Sequence, residues 1–382
     1  MTRPPAGPQT LLRSLNARAI LEALARRGPL TRAELMGETG LSRTAVTQVL
    51  RMLENGEAVA SAGEDRATRG PAAARVALNP SLGCAAAVHI DHHSASVAIL
   101  DPTGRVLAEG SGPFPTVGDL ADRVDALTAL LTGVLAPASG ALRVAVVGVP
   151  GIVSRDGAIR DDVGPDGGAF RSALEARLGC DVRIENDVNL AALAELAGTA
   201  AAGHDSFALL TIDDGLGAGI VIDGMLRRGA TGIAGEVMYL PQPGLPVGAP
   251  VLNEVVVADL ALTNGRDPGE PLRTHLEAAL AGDSAAIEMM AELAGRLILV
   301  AGSITLVLDP SAFVLAGDAA HPAFVGAVRQ AADEVAHLLP LTFVVSSFGR
   351  EATLLGAVGE ATSVLQEKIF SGILTRTDRT PR

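Results

Sequence analysis

The sequence predicts an α/β protein in two parts: a winged helix-turn-helix over residues 1–80, then a large α/β body over residues 81–382. Three observations carry that reading. Near Leu82 the pattern changes from short helices ending in a strand pair to apolar strands alternating with amphipathic helices and Gly-rich loops. The charge changes at the same place. Residues 1–80 hold eleven Arg against seven Asp and Glu, a balance of +4; the whole chain is −13, so the remainder carries −17. A basic head on an acidic body predicts that only the head meets a polyanion. Finally, 382 residues at 48% apolar content suffice for a sizeable core and two or three domains.

In the head, Leu11, Leu12, Leu15, Ala19, Ala23 and Leu24 recur at helical spacing, and the run stops at the breaker pair Gly28-Pro29. Thr31 and Glu34 have the spacing of a capping box, which predicts a short helix to about Glu38. Gly40-Leu41-Ser42 supplies a turn and an N-cap for the next helix, which ends at Asn55-Gly56. One face of that helix is apolar, through Val46, Val49, Leu50 and Leu53. The other presents Ser42, Arg43, Thr44, Thr47, Gln48 and Arg51, the side chains a major-groove recognition helix uses. Arg bonds guanine bidentately, Gln bonds adenine, and hydroxyls reach phosphates. Ala58–Ser61 and Ala74–Leu78 read as the strands of a wing. Arg66 and Arg69 lie in its loop, where they would reach phosphates or a minor groove. An ordinary three-helix packing module with a solvated polar face is the alternative; the wing and the charge count against it.

In the body, strands are expected at Ala85–Ile90, Ser96–Leu100, Val144–Val149, Val182–Ile184, Phe207–Ile212, Gly219–Ile222 and Phe313–Leu315, with a helix over Leu120–Leu135. Met289–Leu308 reads as a core helix followed by the approach to a strand, and the tail from Lys368 as polar and fraying. Several function classes are disfavoured. Aromatics are 2%, with no Trp and one Tyr, which speaks against base-stacking platforms. Cys84 and Cys180 are expected to be reduced core residues of a cytosolic protein. No signal segment or uninterrupted apolar run of about 18 residues is seen, so neither secretion nor a membrane partner is expected. His89, His92 and His93 lack the carboxylate and thiol company of a metal site.

Particular blocks add a resemblance. Leu15-Asn16-Ala17-Arg18-Ala19-Ile20-Leu21, Gly28-Pro29-Leu30-Thr31-Arg32-Ala33-Glu34-Leu35 and Thr39-Gly40-Leu41-Ser42-Arg43-Thr44-Ala45-Val46 resemble the head of ROK-family transcriptional regulators, as does the passage from Arg69-Gly70-Pro71 to Leu78-Asn79-Pro80. The body resembles that family at Gly148-Val149-Pro150-Gly151-Ile152-Val153, Glu185-Asn186-Asp187-Val188-Asn189 with the Ala-rich run after it, Gly215–Ile220, and Arg228–Glu236. The resemblance implies an actin-like ATPase body of two lobes around a cleft, lobe one about 81–185 plus 355–382 and lobe two about 186–354.

It also implies where enzyme chemistry would sit. In sugar kinases of this fold the Asp of Glu-Asn-Asp, here Asp187, takes the proton from the sugar hydroxyl. The phosphate loops depart from the pattern. The family's Asp-x-Gly-Gly-Thr falls on His89, Asp91 and His92 in one register, or on Asp91 with His92-His93 in the other, and neither has the glycine pair. Asp213-Asp214 replace Gly-Thr in the second loop, where carboxylates repel phosphate, and the adenosine-side pair is Ala316-Gly317. Met238-Tyr239 replace the family's zinc-binding Gly-His, and Gln242–Pro250 has no Cys, so no zinc is expected, and no cofactor.

Asn186, Asp187 and Glu236 stand at sugar-contacting positions by resemblance, with Tyr239 in place of a His contact, Glu254 as a gapped counterpart of a Glu contact, and Asp161 and Asp162 at the rim. The alternative is that Asn186 and Asp187 cap the following helix. The expectation is a DNA-binding regulator that pairs as a homodimer or homotetramer on a double-stranded operator, answers to a sugar-like effector and has no kinase activity. An active sugar kinase with a regulatory head, or a ligand-independent scaffold on DNA, are the rival readings.

Overall fold

A computed structural model describes residues 8–65, 73–91, 93–115, 119–135, 140–161, 164–166, 168–213, 215–242, 244 and 246–377. The head folds as its local signals dictate. α1 (Pro8–Arg27) is followed by β1 (Leu30–Thr31), α2 (Arg32–Thr39) and α3 (Arg43–Asn55). The capping box closes in both directions: Glu34 N–H donates to Thr31 Oγ1 at 3.2 Å, and Thr31 N–H to Glu34 Oε2 at 2.7 Å. Gly40 ends α2 in the left-handed region at φ 68°, and Ser42 Oγ caps α3 by accepting from Ala45 N–H at 3.2 Å. β2 (Val59–Asp65) and β3 (Ala73–Leu78) pair antiparallel, with β1 on the far side of β3.

The helix expected to stop at Gly28-Pro29 is α1. Leu11, Leu12 and Leu15 are exposed, and the buried face of α1 is Ala17, Ile20, Leu21, Ala23 and Leu24.

The body is one design used twice. Its first half runs β4 (Cys84–Ile90), β5 (Ser94–Leu100), β6 (Val106–Pro113), α4 (Leu120–Val134), β7 (Leu142–Val149), the short β8 (Ile152–Val153), β9 (Ile159–Asp161) and β10 (Gly164–Pro165), then α5 (Ala169–Leu178), β11 (Asp181–Asn186) and α6 (Asp187–Ala197). The second half runs β12 (Phe207–Ile212), β13 (Leu216–Ile222), β14 (Met225–Leu226), α7 (Glu254–Thr263), α8 (Leu272–Leu280), α9 (Ser284–Leu308), β15 (Ala312–Gly317), α10 (Pro322–Val335), β16 (Phe343–Val345) and α11 (Ala352–Thr377). The sheets have orders β11-β7-β4-β5-β6 and β14-β13-β12-β15-β16. In each, the first strand is central. Two antiparallel strands hairpin out from one side of it, and two parallel strands return through helices on the other.

Three departures from the sequence reading have physical causes. β6 was not expected, because Val-Leu-Ala-Glu-Gly-Ser-Gly-Pro carries two Gly and a Pro; as an edge strand it tolerates them. Met289–Leu308 holds no approach to a strand: α9 runs unbroken to Leu308, and the strand begins only at Ala312. By length and composition α9 is, among the described residues, the one helix apolar enough to cross a membrane, yet Met289, Leu293, Leu297, Ala301 and Ile304 line the core of the second half. Nor does the tail fray at Lys368. α11 continues to Thr377 because Ile369, Phe370 and Ile373 are buried.

α11 lies across β4, β5 and β7 and against α6, whose other side meets β12 and β13. The helices cross so closely that a Cβ on Gly356 would stand 1.8 Å from the Leu190 carbonyl oxygen. α1 packs on the far end of α11, and Ile20, Leu24 and Leu50 belong to one buried apolar cluster with Leu365, Ile369 and Phe370.

Candidate functional site

Two regions hold the residues singled out from sequence. In the first, the apolar stripe of α3 is fully engaged: Val46, Val49, Leu50 and Leu53 are buried. That packing turns Ser42, Arg43, Thr44, Gln48 and Arg51 outward, all exposed, while Thr47 is half-buried and its hydroxyl donates to Arg43 O at 2.8 Å. Arg43 and Arg51 enter no ion pair among the described residues. The carboxylates of α2 are neutralised: Glu34 by Arg75 at 3.4 Å, and Glu38 by Arg26 at 3.3 Å and Arg27 at 3.1 Å. The outward face of α3 is therefore cationic and hydrogen-bonding, as a phosphate-and-base surface requires. Arg66 and Arg69 lie outside the described residues.

The second region lies where the two sheets' strand ends meet. β11 hands over to α6 between Asn186 and Asp187. Asn186 caps α6, its Oδ1 accepting from Asn189 N–H at 2.9 Å, and its Nδ2 donates to Gly151 O at 3.0 Å and to Asp187 Oδ1 at 3.1 Å. The capping role that the sequence left open is thus real for Asn186, and its amide protons are already engaged. Asp187 Oδ1 also accepts from Val188 N–H at 2.8 Å. Burial, together with the charges of Asp213 and Glu236, pushes the Asp187 carboxyl up to about 7. Three carboxylates therefore share one electrostatic neighbourhood, Asp187 from the first half and Asp213 and Glu236 from the second. Glu236 is also raised by burial, against the attraction of Arg160. Gly235 sets its position: at φ 101°, a Cβ there would lie 2.0 Å from Ala218 O.

The remaining candidates are less drawn in. Tyr239 is 48% exposed, and no hydrogen bond joins it to the carboxylates among the described residues. Glu254 is exposed at the start of α7. Asp161 ends β9, and Asp162 and Asp214 lie outside the described residues.

The hairpin turn after the first strand of each half carries an aspartate whose role the sequence reading missed. In the β4–β5 turn, Asp91 Oδ1 accepts from the N–H groups of His93 at 2.9 Å and Ser94 at 3.0 Å, and Oδ2 from Ser94 Oγ at 3.0 Å. In the β12–β13 turn, Asp213 Oδ2 accepts from Thr211 Oγ1 at 3.0 Å, and its Oδ1 faces Gly317 at the end of β15. Asp-x-x-Ser at residues 91–94 is a side-chain-closed turn legible in the sequence. The partner of Asp213 across the sheet was not.

The amino-acid pattern of the ROK family matches residues 85–362. The chain belongs to the ROK family. A winged helix-turn-helix DNA-binding pattern matches residues 13–59. Among its relatives, this ROK protein is 23% identical over 246 residues to the xylose repressor of Bacillus subtilis (strain 168), covering 61% of this chain and 62% of that one. It is 25% identical over 344 residues to the DNA-binding transcriptional dual regulator NagC of Escherichia coli (strain K12), covering 82% of each chain. In fold it is similar to the crystal structure of a ROK family transcriptional regulator, a homologue of the E. coli MLC protein, with a TM-score of 0.71, 21% identity, and 96% and 98% of the two chains covered. Its body is similar to a ROK family glucokinase from Streptomyces griseus in complex with glucose and AMPPNP, with a TM-score of 0.60, 24% identity, and 74% and 100% covered.

Proposed function

We propose that this ROK protein is a DNA-binding transcriptional regulator whose body senses a small sugar-like effector and transfers no phosphoryl group. The outward face of α3 carries the reading. Ser42, Arg43, Thr44, Gln48 and Arg51 stand exposed on a capped helix while every apolar residue of its stripe is buried. Relatives named xylose repressor and N-acetylglucosamine repressor support the regulatory role. Two hairpin turns support the absence of kinase chemistry. Backbone N–H groups that would cradle a phosphate in the β4–β5 turn already donate to Asp91, and Asp213 presents a carboxylate where the resembled kinases carry Gly-Thr.

The effector site is proposed at Asp187 and Glu236, with Asn186 holding Asp187 in place and Tyr239 at the rim. Carboxylates are strong acceptors for vicinal hydroxyls. One observation favours the kinase reading: a carboxyl poised near neutrality, as Asp187 is, suits a general base. The deciding experiment uses the full chain with DNA fragments selected from a random pool, titrated with a library of neutral sugars, and a parallel assay of sugar-dependent ATP hydrolysis. Operator binding that one sugar changes, with no ATP turnover, is the expected result. Turnover that disappears in Asp187→Asn would establish the kinase instead, and a chain that selects no DNA sequence would end the regulator reading.

A further inference from the structure

A cavity of about 550 Å³, lined by none of Asp187, Asp213 and Glu236, is walled by the β8–β9 turn, α5, β11, the segment after β14, and α11. Four guanidinium groups line it: Arg155, Arg171, Arg183 and Arg228. Among the described residues three carboxylates share the wall, Asp156, Glu185 and Glu360. Two of the arginines are paired, Arg228 with Glu185 at 2.5 Å and Arg183 with Glu360 at 3.1 Å.

The other two are less engaged by the described residues. Arg155 donates through Nε to the Gly229 carbonyl at 3.2 Å and enters no ion pair among the described residues. Arg171 reaches Glu175 only at 3.5 Å, and its Nε is buried without a hydrogen-bond partner. Buried donors left unmatched are uncommon, and a bound water, ion or ligand can supply the acceptor. The turn that presents Arg155 is fixed: Ser154 N–H and Ala158 O bond at 3.0 Å, and Ala158 N–H donates to Ser154 Oγ at 3.1 Å. Gly157 leaves room for Arg171, since a Cβ there would stand 2.9 Å from the Arg171 Cδ.

From this juxtaposition we infer that the cavity is a second ligand site, for a small oxyanion carrying two or more negative charges. Such a group accepts from Arg155 and Arg171 at once, in the bidentate geometry that guanidinium favours with phosphate and carboxylate. The volume suits a metabolite-sized molecule. Arg183 and Glu360 also help to wall a second cavity of about 380 Å³, together with Arg18 and Glu22 of α1 and Glu367 of α11. The oxyanion site therefore stands one ion pair away from the junction of head and body.

The test is calorimetric titration of the full chain with inorganic phosphate and with citrate, at constant ionic strength set with chloride. Saturable binding of about one anion per chain is expected, weakened at least tenfold in Arg155→Glu. Arg155 is exposed and bonds only a carbonyl, so that variant is expected to keep the fold. Arg171→Gln should weaken binding comparably. Asp187→Asn should leave the anion affinity within about twofold, which separates this site from the proposed sugar site. Tighter phosphate binding assigns the ligand to phosphorylated metabolites, and tighter citrate binding to polycarboxylates. No saturable binding of either anion, or equal binding by Arg155→Glu, overturns the inference.

Discussion

Asp187 shows how much one residue's environment decides. Its sequence context marks it as a sugar contact or a helix cap, and it could serve either with an ordinary carboxyl. Burial, with Asp213 and Glu236 nearby, instead raises it to about 7 from 3.8. A carboxyl raised by folding binds its proton more tightly in the native state. Its stabilising contribution is therefore complete below about pH 4 and is lost as the pH rises through about 7. At 1.36 kcal/mol per unit the loss is at most about 4 kcal/mol. Asp187→Asn keeps an oxygen for Val188 N–H and cannot ionise. Thermal unfolding should show the variant more stable than wild type at pH 8 and nearly equal at pH 4; equal curves at both would mean Asp187 titrates normally. On α3 the reasoning is simpler, because the Arg43 and Gln48 side chains make no hydrogen bond or ion pair among the described residues. Arg43→Ala or Gln48→Ala should cost about 1–3 kcal/mol at a selected operator if each pairs with a base edge. Competition binding at fixed salt reads this, and a loss equal on all sequences would reduce them to phosphate contacts.

At the scale of elements, the local signals of the head were legible because each is satisfied within a few residues. The capping box of α2, the Gly40 turn and the Ser42 cap all depend on neighbours in the chain. Ser42→Ala should accordingly destabilise α3 by about 1 kcal/mol, seen as a lower Tm of the full chain and weaker operator binding. Elements that depend on distant partners were not legible. α11 reads as a polar tail from Lys368, yet its buried Ile369, Phe370 and Ile373 continue the cluster that holds Ile20 and Leu24 of α1. That junction also carries an ion pair, Arg18 with Glu367 at 2.6 Å, but both partners are more than 40% exposed. Exposed pairs contribute about 0–1 kcal/mol, whereas truncating a buried Phe costs about 3–5. Apolar packing is therefore the stronger tie. Phe370→Ala should lower Tm markedly and open the head–body junction to proteolysis, while Glu367→Ala should do neither. The reverse order would make the ion pair the true fastening.

Across the whole molecule, a head of charge +4 stands on a body of −17. DNA affinity should fall steeply with salt, and a chain lacking residues 1–80 should lose it entirely. A single α3 reads one half-site, so a two-fold assembly is expected to bind paired half-sites about one helical turn or a multiple of it apart. Light scattering and half-site spacing in selected DNA check this together; a monomer bound to isolated half-sites would contradict it. The sequence by itself determined the change of pattern and charge near residue 80, the capped helices of the head, most strands of both sheets and the outward residues of α3. Periodicity, caps and charge are local, and they act before the chain has folded. Only the tertiary structure decided that the two halves repeat one sheet order, and that Asp91 and Asp213 follow the equivalent central strands. It also joined α11 to the core of the head and drew the carboxylates of Asp187, Asp213 and Glu236 into one neighbourhood. Burial, like-charge proximity and long-range packing are properties of positions in space, and spacing along the chain does not encode them.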